Sequence, residues 1–274
     1  MKIRNMIWSL MLLSFIFTSC DKIDAPFTEE VVKPTTNKKV LLEDYTGQRC
    51  VNCPAAHEIA HQLQDAFGEE NLIVVAVHAG FFADPVSAPF DYDFRTTAGT
   101  EYESYFSVQT YPTGMVDRVN TGGNYLIDKD GWSTQIAQQF EESALINIEI
   151  DNSLSGNSLS GEINLEFIDE LSTQAQLQIW IIEDNIVKPQ VIPGGLDEEY
   201  VQMHVLRGAI NGSWGQALPA TTYSAESTES ISFSNFQLGD DWVPENLSLV
   251  AFVYDQESKK VIQVEKKKIL EIVE

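Results

Sequence analysis

The sequence predicts an α/β domain followed by an all-β domain, and three observations support this fold class. Between Lys39 and Val77 a strand, a helix and a continuous apolar run follow one another, which indicates a βαβ unit whose second strand is buried on both faces. From Leu145 onward, apolar and polar residues alternate with a period of two, which is typical of half-buried antiparallel strands. Apolar residues make up 43% of the 274 residues, so wholesale disorder is excluded.

The charge balance excludes one class of partner. The chain has 41 acidic and 17 basic side chains, and its formal net charge is −24 at pH 7. Nucleic-acid binding requires clustered lysines and arginines against the phosphates. We therefore expect no nucleic-acid partner.

The amino terminus has the three parts of an export signal: a positive start, an apolar run from Ile7 to Phe17, and small residues. The run is shorter than the roughly 20 residues that a membrane-spanning helix needs. Phe17-Thr18-Ser19-Cys20 resembles a bacterial lipoprotein box, in which the cysteine is lipidated and becomes the first mature residue. The resemblance predicts a signal peptide over 1–19 and a lipid anchor to the membrane at Cys20. Residues 20–38 have no sustained periodicity and are predicted to be a flexible tether.

The predicted α/β domain covers residues 39–145 in the order β-α-β-α-β-β-α. Its first helix begins at Pro54, which suits a first helical turn, and ends at Gly68. The apolar run 72–77 is the buried second strand. The later elements are a helix over 96–106, a hairpin around the turn 120–123, and a closing helix with Trp132, Ile136 and Phe140.

The predicted all-β domain covers residues 146–274. Its candidate strands are 146–151, 159–167, 175–184, 200–207, 229–233, 247–255 and 260–266. About seven short strands separated by turn signals are typical of an immunoglobulin-like antiparallel β-sandwich. The lysine clusters 259–260 and 266–268 are interpreted as protection of a sheet edge.

Cys50 and Cys53 form a Cys-x-x-Cys pair between the first strand and the first helix. A helix amino terminus lowers the pKa of a thiol, so Cys50 is expected to be the exposed attacking sulfur and Cys53 the resolving one. The partners would be thiols or disulfides of exported proteins. One alternative is a permanent structural disulfide, which the oxidising compartment of an exported protein would preserve.

Metal binding is the second alternative for the cysteine pair. Cys53, His57 and His61 lie four residues apart on one helical face, and with Cys50 they offer four ligands suited to copper or zinc. Cys53 and His61 are two turns apart, about 12 Å along the axis, which is too far for one ion. We therefore predict neither a metal nor a cofactor. The two histidines are interpreted as a solvated helix face or, for His57, as a modest influence on Cys53.

The chain from roughly Lys39 to Ala144 resembles the thioredoxin superfamily, on the Cys-x-x-Cys pair and on Tyr111-Pro112-Thr113 before the hairpin. The resemblance implies a thioredoxin-like fold in which Pro112 is cis and faces the cysteines. It also implies that Asp44 is the buried acid that manages protons. The stretch between the second strand and Pro112 is longer than in that family. We expect its segment 81–94 to lie near the cysteines and to shape or block a substrate groove.

More narrowly, the chain is similar to the Omp28-type outer-membrane lipoproteins of Bacteroidetes, on the segments 42–54 and 204–208. This similarity implies a cell-envelope location as an outer-membrane lipoprotein. Two functions follow. The first is thiol–disulfide exchange through Cys50, Cys53, Asp44 and Pro112. The second is a binding or surface module in which the Cys50–Cys53 disulfide is structural.

Overall fold

A computed structural model describes residues 37–269 of the chain. The predicted signal peptide, the predicted lipidation site Cys20 and most of the predicted tether lie outside these residues. Within 37–269, no helix combines the length and the apolar character that a membrane crossing requires.

The described residues contain four α-helices and fifteen strands. The helices are α1 (Cys53–Phe67), α2 (Gly80–Ala83), α3 (Thr97–Tyr105) and α4 (Trp132–Phe140). The strands are β1 (Val40–Thr46), β2 (Leu72–His78), β3 (Thr113–Val116), β4 (Ile146–Ser155), β5 (Ser158–Phe167), β6 (Ala175–Glu183), β7 (Ile186–Val187), β8 (Gln190–Ile192), β9 (Gly195–Asp197), β10 (Val201–Gln202), β11 (Val205–Ala209), β12 (Gln216–Ala217), β13 (Thr228–Gln237), β14 (Leu247–Asp255) and β15 (Val261–Lys268).

The local predictions for the first half are confirmed. The helix α1 has Pro54 in its first turn, and the amide of Gly68 closes it by donating to the Gln64 carbonyl. The predicted helices near 96–106 and around Trp132 are α3 and α4. The predicted hairpin is formed by β3 and a short return segment, since Gly114 bridges Ile127. In the second half, the predicted candidate strands likewise correspond to described strands.

One sheet contains strands from both predicted domains. Among the described residues its order is β15-β14-β6-β11-β2-β1-β3, with β12 paired to β6. The strand β2 is parallel to β1 on one side and to β11 on the other, where the Ala76 amide donates to the His204 carbonyl at 2.8 Å. The immunoglobulin-like sandwich expected for 146–274 is therefore not a separate unit, because β6, β11, β14 and β15 extend the sheet of the first half. Alternation in a sequence predicts strands, but it does not say with which strand each will pair.

Two layers cover one face of this sheet. Val205 of β11 pairs with Ala76 of β2 and with Glu183 of β6, so the side chains of these three residues point to the same face of the sheet. On the β1–β3 side the face packs against α1 and α4. On the β6–β14 side it packs against a three-stranded sheet of order β13-β5-β4. A gap is left between these two layers.

The opposite face encloses a buried ion pair. Arg118 donates from Nε and Nη2 to the Glu43 carboxylate at 2.8 and 2.9 Å, and both side chains are buried. Burial opposes the charge of Arg118, but the Glu43 carboxylate overcomes this and raises the pKa of the guanidinium. Five aromatic rings have their centres 5.0–5.6 Å from Arg118 Cζ: Tyr102, Phe106, Trp180, Phe252 and Tyr254. Because these rings come from both halves of the chain, the ion pair joins the halves.

Candidate functional site

The cysteine pair forms a disulfide at the start of α1. Cys50 and Cys53 are bonded, with their Cα atoms 5.4 Å apart. The Cys50 amide donates to the Gly47 carbonyl at 3.0 Å, and the Cys53 amide donates to the Cys50 carbonyl at 3.3 Å. These two turns carry the chain from β1 into α1.

A strand from the second half covers the cysteine loop. Gln190 of β8 donates from Nε2 to the carbonyl oxygens of Cys50 at 3.0 Å and Gly47 at 3.3 Å. The next residue, Val191, donates its amide to the Gln48 carbonyl at 2.8 Å. Cys50 is 2% exposed and Cys53 is fully buried. The expectation that Cys50 is exposed is wrong, because β8, 140 residues further along the chain, lies over the loop.

The helix α2 packs against the same loop from the inserted segment. The Arg49 amide donates to the Phe82 carbonyl at 3.1 Å, and the Arg49 guanidinium lies 4.7 Å from the Phe81 ring centre. A Cβ on Gly47 would lie 2.5–2.7 Å from backbone atoms of Phe82 and Ala83, so only glycine permits this approach. The expectation that the segment 81–94 lies near the cysteines is confirmed for its first residues.

Pro112 lies at the end of the sheet from which the cysteine loop leaves. The Tyr111–Pro112 peptide bond is cis, as the resemblance to the thioredoxin superfamily implied. The following residue, Thr113, pairs with Tyr45 near the end of β1. The Tyr111 ring packs edge-on against Phe82, with ring centres 5.9 Å apart. That Pro112 faces the disulfide stays a prediction.

Asp44 is buried beneath α1 and lies beside His57. Its Oδ2 is 3.6 Å from His57 Nε2, and among the described residues its Oδ1 has no hydrogen-bond partner. Burial raises the pKa of Asp44 to about 8, so its carboxyl is largely protonated at neutral pH. The proton-managing role expected for Asp44 stays a prediction.

His57 links α1 to a segment of the second half. Its Nε2 is 2.9 Å from Thr46 Oγ1, and its Nδ1 is 2.7 Å from the Tyr200 hydroxyl. Burial and, secondarily, the nearby His204 lower the pKa of His57 to about 4, so the ring is neutral at pH 7. The interpretation of His57 as a solvated residue is wrong, because Tyr200 packs over it. His61, with 62% of its side chain exposed, does lie in solvent.

A second acid–histidine pair lies across from His57. His204 Nδ1 is 2.9 Å from Asp184 Oδ1, which also accepts the His204 backbone amide at 2.8 Å. Burial alone would raise the pKa of Asp184, but its bonds to His204 outweigh burial and hold that pKa far below its usual range. Lys268 Nζ lies 3.4 Å from the other carboxylate oxygen.

These groups line a cavity of about 460 Å³, here called the α1 cleft. It lies between α1, β2, the segment 200–204 and the end of β15, in the gap between the two layers that cover the sheet. Its lining residues are Asp44, Pro54, His57, Glu58, Ala60, His61, Gln64, Glu69, Val74, Ala76, Asp184, Tyr200, Val201, Met203, His204, Lys266 and Lys268. The volume is within the range of about 300–1,000 Å³ that is usual for small-molecule sites.

The described residues offer no set of ligands for a metal ion. Within residues 37–269, no three side chains of the histidine, cysteine, aspartate and glutamate types are grouped closely enough to hold an ion. Both sulfurs of the Cys-x-x-Cys pair are already bonded to each other.

The sequence analysis missed Tyr200, His204 and Asp184 as site residues. Each lies more than 100 positions from α1, and no local pattern marks them. The one local signal is the segment 204–208, which carries a family resemblance but no recognisable chemical motif.

The chain is similar to several proteins of known structure. HBP35 of Porphyromonas gingivalis superposes with a TM-score of 0.67 and 17% identity, over 86% of this chain and 77% of that one, which shows a shared fold. A domain of the outer membrane lipoprotein Omp28 from Porphyromonas gingivalis is 24% identical, covering 47% of this chain and 90% of the domain, with a TM-score of 0.33. The chain has no match among curated proteins.

The family described as Outer membrane protein Omp28 matches residues 99–272, more than half of the chain. That region includes β3, α4 and nearly all of the second half, with Tyr200, His204 and Lys268 of the α1 cleft. The chain therefore belongs to the Omp28 family of outer membrane proteins.

Proposed function

We propose that this chain is a lipid-anchored binding protein of the cell envelope, in which the Cys50–Cys53 disulfide is a structural cross-link. The observation that carries the proposal is the burial of both cysteines: Cys50 is 2% exposed and Cys53 is fully buried. Thiol–disulfide exchange requires a partner sulfur to approach along the axis of the bond that it breaks. The strand β8 is hydrogen-bonded to the carbonyls of Gly47, Gln48 and Cys50 and so covers this loop.

The disulfide has a clear structural use in this arrangement. It fixes the start of α1, and α1 supplies Pro54, His57 and Ala60 to one wall of the α1 cleft. A short cross-link at this point restricts how the helix can leave the sheet. The cleft, with its buried apolar surface and a few polar groups, is the site through which we propose that the protein binds.

The fold around the disulfide supports a thioredoxin-like scaffold for residues 39–145. The strand β1 is parallel to β2 and antiparallel to β3, and α1 connects the two parallel strands. The peptide bond before Pro112 is cis, as the resemblance to the thioredoxin superfamily implies. We propose that this scaffold is retained and that its cysteine pair is not used for exchange.

Membership of the Omp28 family supports an envelope or outer-membrane location. The lipid anchor is the proposed means of attachment, on the lipoprotein-like segment that ends at Cys20. Labelled palmitate should be incorporated into the wild-type chain and not into Cys20→Ala. Equal label in both chains would contradict a lipid at this residue.

The binding function is tested against exchange by insulin reduction in the presence of dithiothreitol. We expect the wild-type protein and Cys50→Ser to give the same rate, no faster than dithiothreitol alone. Turnover by the wild type that is lost in Cys50→Ser would contradict the proposal, and exchange on exported protein thiols would then be the function. Thioredoxin serves as the positive control for the assay.

A further inference from the structure

We propose that the α1 cleft binds a small organic carboxylate, with its apolar body against the cleft floor and its carboxylate at Lys266 and Lys268. This inference rests on the proposed binding function and names the class of ligand.

The floor of the cleft is apolar. Val74 and Ala76 of β2 form it, and Ala60 of α1 and Met203 face the same cavity. Met203 is 40% exposed, which is high for a large apolar side chain. An apolar ligand body would remove these surfaces from water, at about 25 cal/mol for each Å² buried.

The two lysines provide a positive end. Lys266 is half-buried, and among residues 37–269 its ammonium has no carboxylate within 4.0 Å. This is notable in a chain of net charge −24, where acidic partners are abundant. Lys268 lies 3.4 Å from Asp184, a longer separation than the 2.6 Å between Lys260 and Glu142. An incoming carboxylate would pair with the Lys266 ammonium.

The rest of the lining does not repel an anion strongly. Burial keeps Asp44 largely protonated at neutral pH, and His57 is neutral with both ring nitrogens hydrogen-bonded. Glu58 and Glu69 also line the cleft, but they are exposed and their field is screened by solvent. Asp184 already accepts the His204 backbone amide at 2.8 Å, and Lys268 lies 3.4 Å from its other carboxylate oxygen.

The test is isothermal titration of the purified protein with octanoate, octylamine and inorganic phosphate. Octanoate is expected to bind saturably at one site, at least about tenfold more tightly than either other probe, because it alone offers both the apolar body and the negative charge. Octylamine or phosphate binding as tightly as octanoate would overturn the proposal, and so would no binding of octanoate.

Three variants place the site. Lys266→Met and Lys268→Met should each weaken octanoate binding about tenfold, the scale of one lost charge-assisted hydrogen bond. Lys267→Met is the matched control: it lies between the two lysines, is exposed and does not line the cleft, so its affinity should equal that of the wild type. Equal affinity in all three variants would overturn the assignment. Insulin turnover by a protein that still binds octanoate would contradict the proposed function and leave this inference standing.

Discussion

The side-chain amide of Gln190 donates to the backbone carbonyl of Cys50 at 3.0 Å, across 140 residues of sequence. The same amide also donates to the backbone carbonyls of Gly47 and Val191, and Gln202 Nε2 donates to the Gln190 side-chain oxygen Oε1 at 3.2 Å. Gln190 is fully buried. This glutamine therefore ties the strand β8 to the cysteine loop and closes that loop to solvent.

Replacing Gln190 by alanine should expose the cysteine loop and destabilise the protein. The substitution leaves buried carbonyl groups without their donor, which costs about 1–3 kcal/mol. We expect a lower urea midpoint and faster reduction of the disulfide in Gln190→Ala. Gln62→Ala, at an exposed position of α1, is the control and should behave as the wild type. Unchanged reduction in Gln190→Ala would show that this glutamine does not close the loop.

Gly47 is expected to tolerate no side chain. An added Cβ would meet backbone atoms of Phe82 and Ala83 at 2.5–2.7 Å, and backbone of a packed helix cannot move away cheaply. Gly47→Ala should lower the free energy of unfolding by about 1–3 kcal/mol in urea denaturation. Gly195→Ala, where a Cβ meets nothing within 4 Å, should change it by less than about 0.5 kcal/mol. Similar values for the two variants would mean that α2 does not pack on the loop as described.

Breaking the buried ion pair should be more costly than either loop substitution. Glu43→Gln leaves the Arg118 guanidinium charged, buried and without its carboxylate, which typically costs about 3–5 kcal/mol. Lys129→Gln, which removes an exposed pair with Asp130, should leave the free energy of unfolding close to that of the wild type. Equilibrium unfolding at neutral pH measures both. A small effect of Glu43→Gln would contradict the role of this pair in joining the two halves.

The stability of the protein should depend on the ionisation of Asp44. Its pKa is about 8 in the folded chain against 3.8 as an ordinary carboxyl, so the folded state binds the proton more tightly. Between these values the folded state holds more protons than the unfolded state, and this residue makes stability fall as the pH rises. Above about pH 8 the loss is complete.

Asp44→Asn removes the pH dependence of stability that comes from this carboxyl, so a comparison of the variant with the wild type measures it. Between pH 6.5 and 8, where His57 is neutral, the unfolding free energy of the variant minus that of the wild type should increase with pH. The slope is at most about 1.4 kcal/mol per pH unit. A difference that stays constant over this window would show that Asp44 is ionised in the folded protein.

Elements whose signals are local could be predicted from the sequence. Pro54 and Gly68 mark the ends of α1 because a proline fits a first helical turn and a glycine fits the end of a helix. The Cys-x-x-Cys position and the cis bond at Pro112 followed from motifs of a few residues. These features depend on neighbours in the chain.

Contacts between distant segments could not be predicted. The pairing of β2 with β11 could not be predicted because several strands show the same alternation of apolar and polar residues. The alternation does not say which of these strands lies beside β2. The burial of Cys50 depends on Gln190, and the hydrogen bond of His57 depends on Tyr200, 143 residues away. The expected exposure of Cys50 is wrong for this reason, because the motif is local and the strand that covers it is distant in the chain.

The most direct test of the central claim is the rate at which dithiothreitol reduces the Cys50–Cys53 disulfide, followed by maleimide labelling of the released thiols. In the folded protein we predict slow reduction, and a rate that rises at least a hundredfold when urea unfolds the chain, because β8 then no longer covers the loop. Rapid reduction in the folded protein, at the rate measured in urea, would contradict a sealed structural disulfide.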